Sequence, residues 1–214
     1  MGVIDHGLSG TRGYIRTYNP FVANTPQPYM GSVSAWVMGV DPGAVQDRFA
    51  QVGWVKDPTD PLSHDPYNPY VFVQFTNAFG SPQSPEYFSR IGPPDVYFYQ
   101  VTTDQNGYWG MWWGTQNLLN VQLGWVPTGH EAFVEEQNYT GDQTAGDTTA
   151  HVTFRNVDWS DFITWNGSSF GGANNPYQAG TPGNPASPDR GLAGFDALTY
   201  TDGSNFDTWD ARCP

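Results

Sequence analysis

The sequence predicts an all-β protein, an antiparallel two-sheet β-sandwich of the jelly-roll or concanavalin-like type. Short runs rich in Val, Phe, Tyr and Trp alternate between two faces and are separated by turn residues at intervals of about 8–12 residues. The 214 residues include 25 Gly and 18 Pro, which suit tight turns and oppose long helices. Aromatic residues make up 16% of the chain and can fill a large core, so we expect one domain over residues 1–214.

The predicted strands follow one another along the whole chain, with loops where Pro, Gly, Asn and Asp accumulate. A polar lead-in covers residues 1–12, and we expect loops at 21–30, 56–69, 82–94, 138–149 and 166–190. Asp104 to Gly107 has the composition of a hairpin turn. The strands are predicted at residues 12–18, 32–40, 47–55, 70–75, 95–103, 108–113, 118–126, 130–137, 151–157, 161–165, 195–200 and 206–209.

The charge balance is strongly acidic, with 21 Asp and Glu against 8 Lys and Arg and a formal net charge of −13. No basic stripe is present to contact phosphates, so nucleic acid is not an expected partner. With a pI near 4.3, the chain would carry little net charge in an acidic medium. The composition therefore points to a protein that works in acid, although an acidic surface also serves solubility alone.

Cysteine usage and hydropathy leave the compartment open, because Cys213 is the only cysteine and lies beside the C-terminus. No stretch is long and apolar enough for a membrane span, so no membrane partner is expected. Low Lys with abundant Trp, Tyr and Gly is typical of secreted β proteins, and we expect a secreted monomer from which a signal was removed.

Metal and nucleophile patterns are absent from the sequence. The four histidines have neither a paired spacing nor a cysteine partner, which argues against zinc. No Gly-x-Ser-x-Gly elbow occurs, and a nucleophile at Cys213 would be hard to enclose. We therefore expect neither a metal nor another cofactor.

The run from His130 to Gln137 carries three glutamates inside a strand pattern. Because strand side chains alternate between faces, Glu131, Phe133 and Glu135 share one face. Acids beside a large aromatic suggest a groove with the sheet as its floor, whereas the alternative is a solvated edge strand. Glu131 and Glu135 are about 13 Å apart along the strand, too far for the carboxyl pair of a glycosidase.

The order of five strand segments resembles the glutamic peptidases called eqolisins, acid proteases with a double-sheet sandwich. The resemblance covers residues 32–156, over half the chain, and rests on short motifs in the same order. Departures are one extra residue before Asp41, a longer loop after Gln51 and the absence of the family's cysteines. The segments are Ser34-Ala35-Trp36-Val37, Phe49-Ala50-Gln51-Val52-Gly53, Tyr70-Val71-Phe72-Val73-Gln74-Phe75, Glu131-Ala132-Phe133-Val134-Glu135-Glu136 and Val152-Thr153-Phe154-Arg155-Asn156.

The resemblance implies an acid endopeptidase acting on polypeptides, with Gln51 and Glu135 as the catalytic pair. It also implies that Trp36 contacts substrate and that the family's conserved aspartate corresponds to Asp41. The acidic residue of the family's third strand is replaced here by Gln74. We predict substrate contacts for a set of residues around the pair, namely Trp36, Asp41, Gln74, Glu131 and Phe133.

The chemistry of these residue types suits peptide hydrolysis by itself. A Glu desolvated among Phe133, Trp36 and other rings would have a raised pKa, because burial disfavours its charged form. Such a group can take a proton from water and pass it to the leaving nitrogen. A Gln amide can hold the water through its carbonyl and stabilise an oxyanion through its NH₂ group.

Two other functions fit the sequence. In a carbohydrate-binding or glycan-hydrolysing sandwich, aromatic side chains would stack on sugar rings; the candidates are Trp36, Trp109, Trp112 and Trp113. In a non-catalytic structural relative, the sandwich would persist without the chemistry, and Cys213 would link chains.

Overall fold

The computed structural model describes residues 2–3, 8–17, 31–41, 48–56, 68–92, 95–104, 106–127, 129–138, 152–161, 170–172, 177–178, 195–199 and 206–210. Side chains are described for residues 10–17, 34–41, 48–56, 68–92, 95–104 and 106–127. Within these ranges the regular structure is all strand, and no helix has the length and hydropathy to cross a membrane.

The described strands form two antiparallel sheets, which confirms the predicted sandwich class. In spatial order, sheet A contains β13 (Tyr177–Gln178), β1 (Gly2–Val3), β10 (Gly129–Asn138), β3 (Gly31–Asp41), β4 (Arg48–Lys56), β5 (Tyr70–Phe75) and β6 (Glu86–Arg90). Sheet B contains β14 (Phe195–Thr199), β15 (Phe206–Asp210), β11 (Val152–Asp161), β2 (Leu8–Arg16), β7 (Val96–Thr103), β8 (Tyr108–Trp113) and β9 (Gln116–Gln122), with β12 (Phe170–Gly172) beside β11.

Most predicted strands are present with shifts of a few residues at their ends, and β5 and β8 match their predicted bounds. Three regions differ. The predicted loop at 82–94 contains β6, the predicted loop at 166–190 contains β12 and β13, and the predicted lead-in at 1–12 contains β1 and the start of β2. One strand, β11, runs from residue 152 through residue 161 with a bulge, where two strands were expected. Residues 162–165 of the second expected strand lie outside the described residues.

The core lies between the two sheets, and the described side chains of β4 show how alternate residues enter it. On β4, Ala50, Val52 and Trp54 have no exposed surface, whereas Phe49 and Val55 are partly exposed. Sheet B contributes Tyr99 and other side chains to the same core. One continuous core joins the described parts of both sheets, and the prediction of a single domain for all 214 residues stays a prediction.

Two tryptophans close one part of this core. The rings of Trp109 and Trp125 lie with centroids 4.4 Å apart, and Trp109 Nε1 donates a hydrogen bond of 3.0 Å to the Trp125 carbonyl oxygen. Trp109 is 1% exposed, so it has no face open to a sugar ring. Trp113 packs against the same core. Of the four tryptophans named for sugar stacking, Trp109 is therefore a core residue, whereas Trp113 is partly exposed.

The carboxylate of Asp104 stabilises the hairpin turn between β7 and β8. Asp104 Oδ1 accepts hydrogen bonds from the backbone N–H groups of Tyr108, at 2.9 Å, and Asn106, at 2.8 Å. The hydrogen bond from Tyr108 and then that from Asn106 stabilise the ionised carboxylate and lower the pKa of Asp104. Gly107 adopts φ of 76°, which supports the glycine that the turn composition predicted.

Asp104→Asn tests the contribution of this charge. A folded-state pKa below the unfolded value gives stability that is present above the unfolded pKa and lost as pH falls through the folded pKa. We therefore expect a lower Tm for the variant near neutral pH and a difference that disappears in strong acid. Asp104→Ala, which removes the acceptor as well, should be destabilised at every pH. Thermal melts across pH check both; a constant difference for Asp104→Asn would contradict the assignment.

Candidate functional site

The outer face of sheet A, opposite the core, presents three neighbouring cross-strand rows. Residues paired across an antiparallel sheet share a face, so each row follows from the register of β5, β4, β3 and β10. The glutamine row is Gln74, Gln51, Met38 and Glu131; the aromatic row is Phe72, Gly53, Trp36 and Phe133; the third row is Tyr70, Val55, Ser34 and Glu135.

In the glutamine row, the side-chain amides of Gln51 and Gln74 are hydrogen-bonded to each other. Gln51 is 7% exposed, and its Nε2 donates a hydrogen bond of 3.0 Å to Oε1 of Gln74. Gln74 Nε2 in turn donates to the backbone carbonyl oxygen of Gln83, at 3.2 Å, in the turn after β5. The NH₂ group of the Gln51 amide is thus held from the β5 side.

The aromatic row lies directly beside the glutamine row. Trp36 and Phe72 meet edge to face, with ring centroids 6.4 Å apart and an interplanar angle of 86°. They form an apolar cluster, separate from the main core, against which Met38, Val55 and Tyr87 pack. The Trp36 indole Nε1 donates to Met38 Sδ at 3.2 Å, which ties the aromatic row to the glutamine row.

Gly53 separates Trp36 from Phe72 along the aromatic row. A Cβ atom at this position would lie 2.6 Å from Trp36 Cα and against the carbonyl oxygen of Ala35. A glycine within a strand can leave room for the close approach of another backbone, such as that of a substrate. In the structure that space is occupied by the backbone of β3.

The two candidate glutamates stand at different distances from Gln51. Glu131 occupies the same row, two strands away, which corresponds to about 10 Å between Cα atoms. Glu135 is four residues further along β10, which gives about 16 Å from Gln51. Both positions belong to the face that carries Gln51 and Trp36. The register therefore brings Glu131 nearer to Gln51 than Glu135.

Asp41 lies apart from this arrangement. It ends β3, where it pairs with Arg48 in the register of β4, and its Oδ2 lies 3.8 Å from Arg48 Nη1. Counting along β3 from Met38 places Asp41 on the alternate set of positions, not the set that contains Gln51. Its predicted contact with substrate stays a prediction.

The structure therefore gathers six of the seven predicted site residues on one face. These are Gln51, Gln74 and Trp36, with the backbone positions of Glu131, Phe133 and Glu135. Sequence reasoning missed Phe72, although its alternation with Gln74 along β5 was a usable signal. It also missed the Gln83 carbonyl, for which the sequence carries no signal. Among the residues with described side chains, no group of three or more His, Cys, Asp and Glu is arranged to hold a metal ion.

Comparison with known proteins identifies the fold. No family model matches the chain, and no curated protein matches it. The sandwich is similar to a crystal structure of scytalido-glutamic peptidase with a transition-state analogue inhibitor, with a TM-score of 0.61 and 14% identity. A second structure of that peptidase, with a peptide-based transition-state analogue, has a TM-score of 0.57 and 12% identity.

A third similar structure is SCP-B, a member of the eqolisin family of peptidases, in a complex with the tripeptide Ala-Ile-His. Its TM-score is 0.53 and its identity 11%. Each of the three similarities covers 98% of this chain and 96% of the other chain. At these identities the likeness is one of fold: the chain has the double-sheet sandwich of the glutamic peptidases.

Gly53→Ala tests the close approach of β3 and β4 beneath the aromatic row. Because the added methyl group meets backbone atoms that cannot move aside, we expect the free energy of unfolding to fall by about 1–3 kcal/mol. Gly92→Ala is the matched control, since nothing lies within 4 Å of a Cβ atom there. Urea titration measures both variants. Equal stability of the two would show that β3 and β4 do not meet as described.

Proposed function

We propose that the chain is an acid endopeptidase of the glutamic type, which hydrolyses peptide bonds with a carboxyl group of β10 and the amide of Gln51. The glutamine row carries this proposal, because it aligns an anchored amide with a glutamate on one face of sheet A. The fold supports it, since similar structures are glutamic peptidases holding transition-state analogues or a tripeptide.

Glu131 is the carboxyl partner that the register favours. Strand side chains stand roughly perpendicular to their sheet, so two groups that share one water need Cα atoms within about 10 Å. Glu131 meets this condition, whereas Glu135 would have to reach along the sheet by a further four residues. We therefore propose Glu131 as the carboxyl group that activates water and keep Glu135, the residue implied by the family resemblance, as its competitor.

The reaction follows from the two groups. The ionised carboxylate removes a proton from water, and the resulting hydroxide bonds to the carbonyl carbon of the scissile peptide. The carbonyl oxygen becomes an oxyanion, which accepts a hydrogen bond from the Gln51 NH₂ group. The carboxyl group then gives its proton to the peptide nitrogen as the C–N bond breaks, and it returns to the ionised state. The enzyme therefore ends the cycle with the same charge with which it began.

The Gln51 amide is suited to this role by its two ends. One of its two N–H groups donates to Gln74, so the other remains for an oxyanion. Its oxygen can accept a hydrogen bond from the attacking water. Because the amide does not titrate, both functions persist in acid. The proposed site thus combines a carboxyl group, which must gain and lose a proton, with an amide, which does not titrate.

The aromatic row provides the apolar wall of the proposed groove. Trp36 and Phe72 lie one row from Gln51 and would contact substrate side chains next to the scissile bond. An apolar neighbour also raises the pKa of a carboxyl group, so that the group gains and loses its proton in a mildly acidic medium. With a net charge of −13 at neutral pH, the chain would be closest to neutral under the same conditions. We propose that it acts outside the cell, on polypeptides.

Digestion of a denatured protein at about pH 3–5 tests this function. Pepstatin is included so that contaminating aspartic proteases are inhibited. We expect cleavage by the unmodified chain and a loss of about 10²–10⁴-fold in kcat for Glu131→Gln, the range attributed to a general acid or base. Gln51→Leu should also be strongly impaired. Glu86→Gln, an exposed glutamate on β6, is the control and should cleave normally.

Glu135→Gln decides between the two carboxyl groups. Cleavage retained in Glu135→Gln and lost in Glu131→Gln supports the assignment from the register. The reverse result would give the role to Glu135, and the four strands would then have to meet in a different register. No cleavage at any pH, or full cleavage in both variants and in Gln51→Leu, would refute the peptidase proposal.

A further inference from the structure

Hydrogen bonds connect Gln51 to Gln74 and Gln74 to Gln83, from the middle of sheet A to the turn between β5 and β6. In both bonds the donor is the glutamine that lies farther from the turn. Gln51 Nε2 donates to Gln74 Oε1 at 3.0 Å, and Gln74 Nε2 donates to the Gln83 carbonyl oxygen at 3.2 Å. Gln51 and Gln74 are register partners on adjacent strands, whereas Gln83 contributes only its backbone. We call this chain of hydrogen bonds the amide relay.

The last acceptor sets the direction of the whole relay. A backbone carbonyl can only accept, so the amide of Gln74 must turn its NH₂ group to Gln83. Its oxygen then faces Gln51, which must present its own NH₂ group in return. Reversing Gln51 alone would bring two amide oxygens together, and reversing both amides would bring the oxygen of Gln74 against that of Gln83. One backbone carbonyl therefore decides which end of the Gln51 amide faces β3 and β10.

The turn that carries this carbonyl is itself well held. The Gln83 N–H donates to the Phe75 carbonyl at 2.8 Å, so the residue is fixed to the end of β5. Within the turn, Asn77 Oδ1 accepts hydrogen bonds from the backbone N–H groups of Phe79, at 2.9 Å, and Ser81, at 3.1 Å. Gly80 donates to the Asn77 carbonyl and adopts φ of 80°, as a tight turn requires. The end point of the relay is thus built into the fold.

We propose that Gln74 is a positioning residue, which transmits the orientation set by the Gln83 carbonyl to the Gln51 amide. For catalysis this deepens the proposed function, since the orientation directs the Gln51 oxygen towards β10 and Glu131. The relay contains no titratable group, so the orientation does not change with pH. A carboxylate in place of Gln74 would be ionised in part of the acid range and could not donate to Gln83 in that state.

The charged and titratable groups near Gln74 come from several elements. Glu131 occupies the far end of its row on β10, and Glu86 and Tyr87 belong to the adjacent strand β6. Tyr70 lies two rows away on β5, and the Asp41–Arg48 ion pair lies at the end of β3 and β4. None of these groups replaces the two contacts that Gln74 makes. The orientation of Gln51 thus depends on the amide at position 74.

Gln74→Glu converts the relay into a pH-sensitive contact. In its protonated form, the new carboxyl group can accept a hydrogen bond from the Gln51 NH₂ group and donate one to the Gln83 carbonyl oxygen. In its ionised form it can only accept, and one of its oxygens then faces that carbonyl oxygen. The readout is the side-chain NH₂ signal pair of Gln51 in nitrogen–proton NMR spectra, identified by its absence in Gln51→Leu. In a Glu131→Gln background, which removes the titration of the neighbouring carboxyl group, we expect this pair to stay constant between about pH 3 and pH 7. In Gln74→Glu in the same background it should shift with a single titration.

Activity provides a second, separable readout. We expect the ratio of kcat for Gln74→Glu to kcat for the unmodified chain to be near one in strong acid and to fall at least about tenfold above the pKa of the new carboxyl group. Gln74→Leu should lower kcat at every pH with little change in KM. The matched control is Gln100→Glu, the same exchange on β7 in sheet B, which should change neither the NMR signals nor the kcat ratio.

Two results would overturn the relay: Gln51 signals in Gln74→Glu that do not respond to pH, or a kcat ratio that stays near one at every pH in both Gln74 variants. The NMR measurement needs no catalysis, so it decides the relay even for a chain without peptidase activity. If Gln74→Leu fails to fold, Gln74→Glu in strong acid, where both contacts can form, still gives the answer.

Discussion

The antiparallel register of β10, β3, β4 and β5 is the constraint on which the site depends. It sets residues from distant parts of the chain side by side, with Gln51 and Glu131 in one row. The register is maintained from the opposite face, where residues such as Val37, Val52 and Val73 are fully buried. A slip of the register by one residue would turn these valines to the outer face and the glutamines to the core face. Since each large aliphatic side chain contributes about 1.5–3 kcal/mol on burial, core packing determines the geometry of the outer face.

On the outer face of sheet A, the glutamine row and the aromatic row lie two residues apart along each strand. Gly53 permits the close approach of β3 and β4, and Trp36 and Phe72 meet above it. The Trp36 indole reaches back to Met38 in the glutamine row. An amide and an apolar wall are therefore adjacent because the register of the sheet pairs their strands. A site built on strands in this way is held to the precision of the sheet.

The described polar groups of the glutamine row are neutral, in a protein with 21 Asp and Glu against 8 Lys and Arg. Carboxylates change their charge through the acid range, whereas amides keep both donor and acceptor at every pH. A relay of amides that ends on a backbone carbonyl would confine titration to the proposed catalytic carboxyl group. Asp104 is a carboxylate that stays ionised in acid for another reason: backbone N–H groups donate hydrogen bonds to it and lower its pKa.

The sequence by itself determined the fold class, the positions of β3, β4, β5, β7, β8 and β10, and the face of each residue on them. Those properties are local: side chains alternate with period two, and turns such as that at Asp104 have their own composition. Gln51 and Trp36 were selected by a different route, the resemblance of an ordered set of short motifs to the glutamic peptidases.

Only the tertiary structure decided which residues stand opposite one another. The strand β6 exists because β5 offers it an edge, and its own sequence is too short and too mixed to predict it. Trp109 enters the core instead of a binding surface, and the Gln83 carbonyl reaches Gln74 through a turn. The separation of Glu131 and Glu135 from Gln51 depends on pairing across about eighty residues. No local pattern encodes that pairing, because it results from burying both sheets at once.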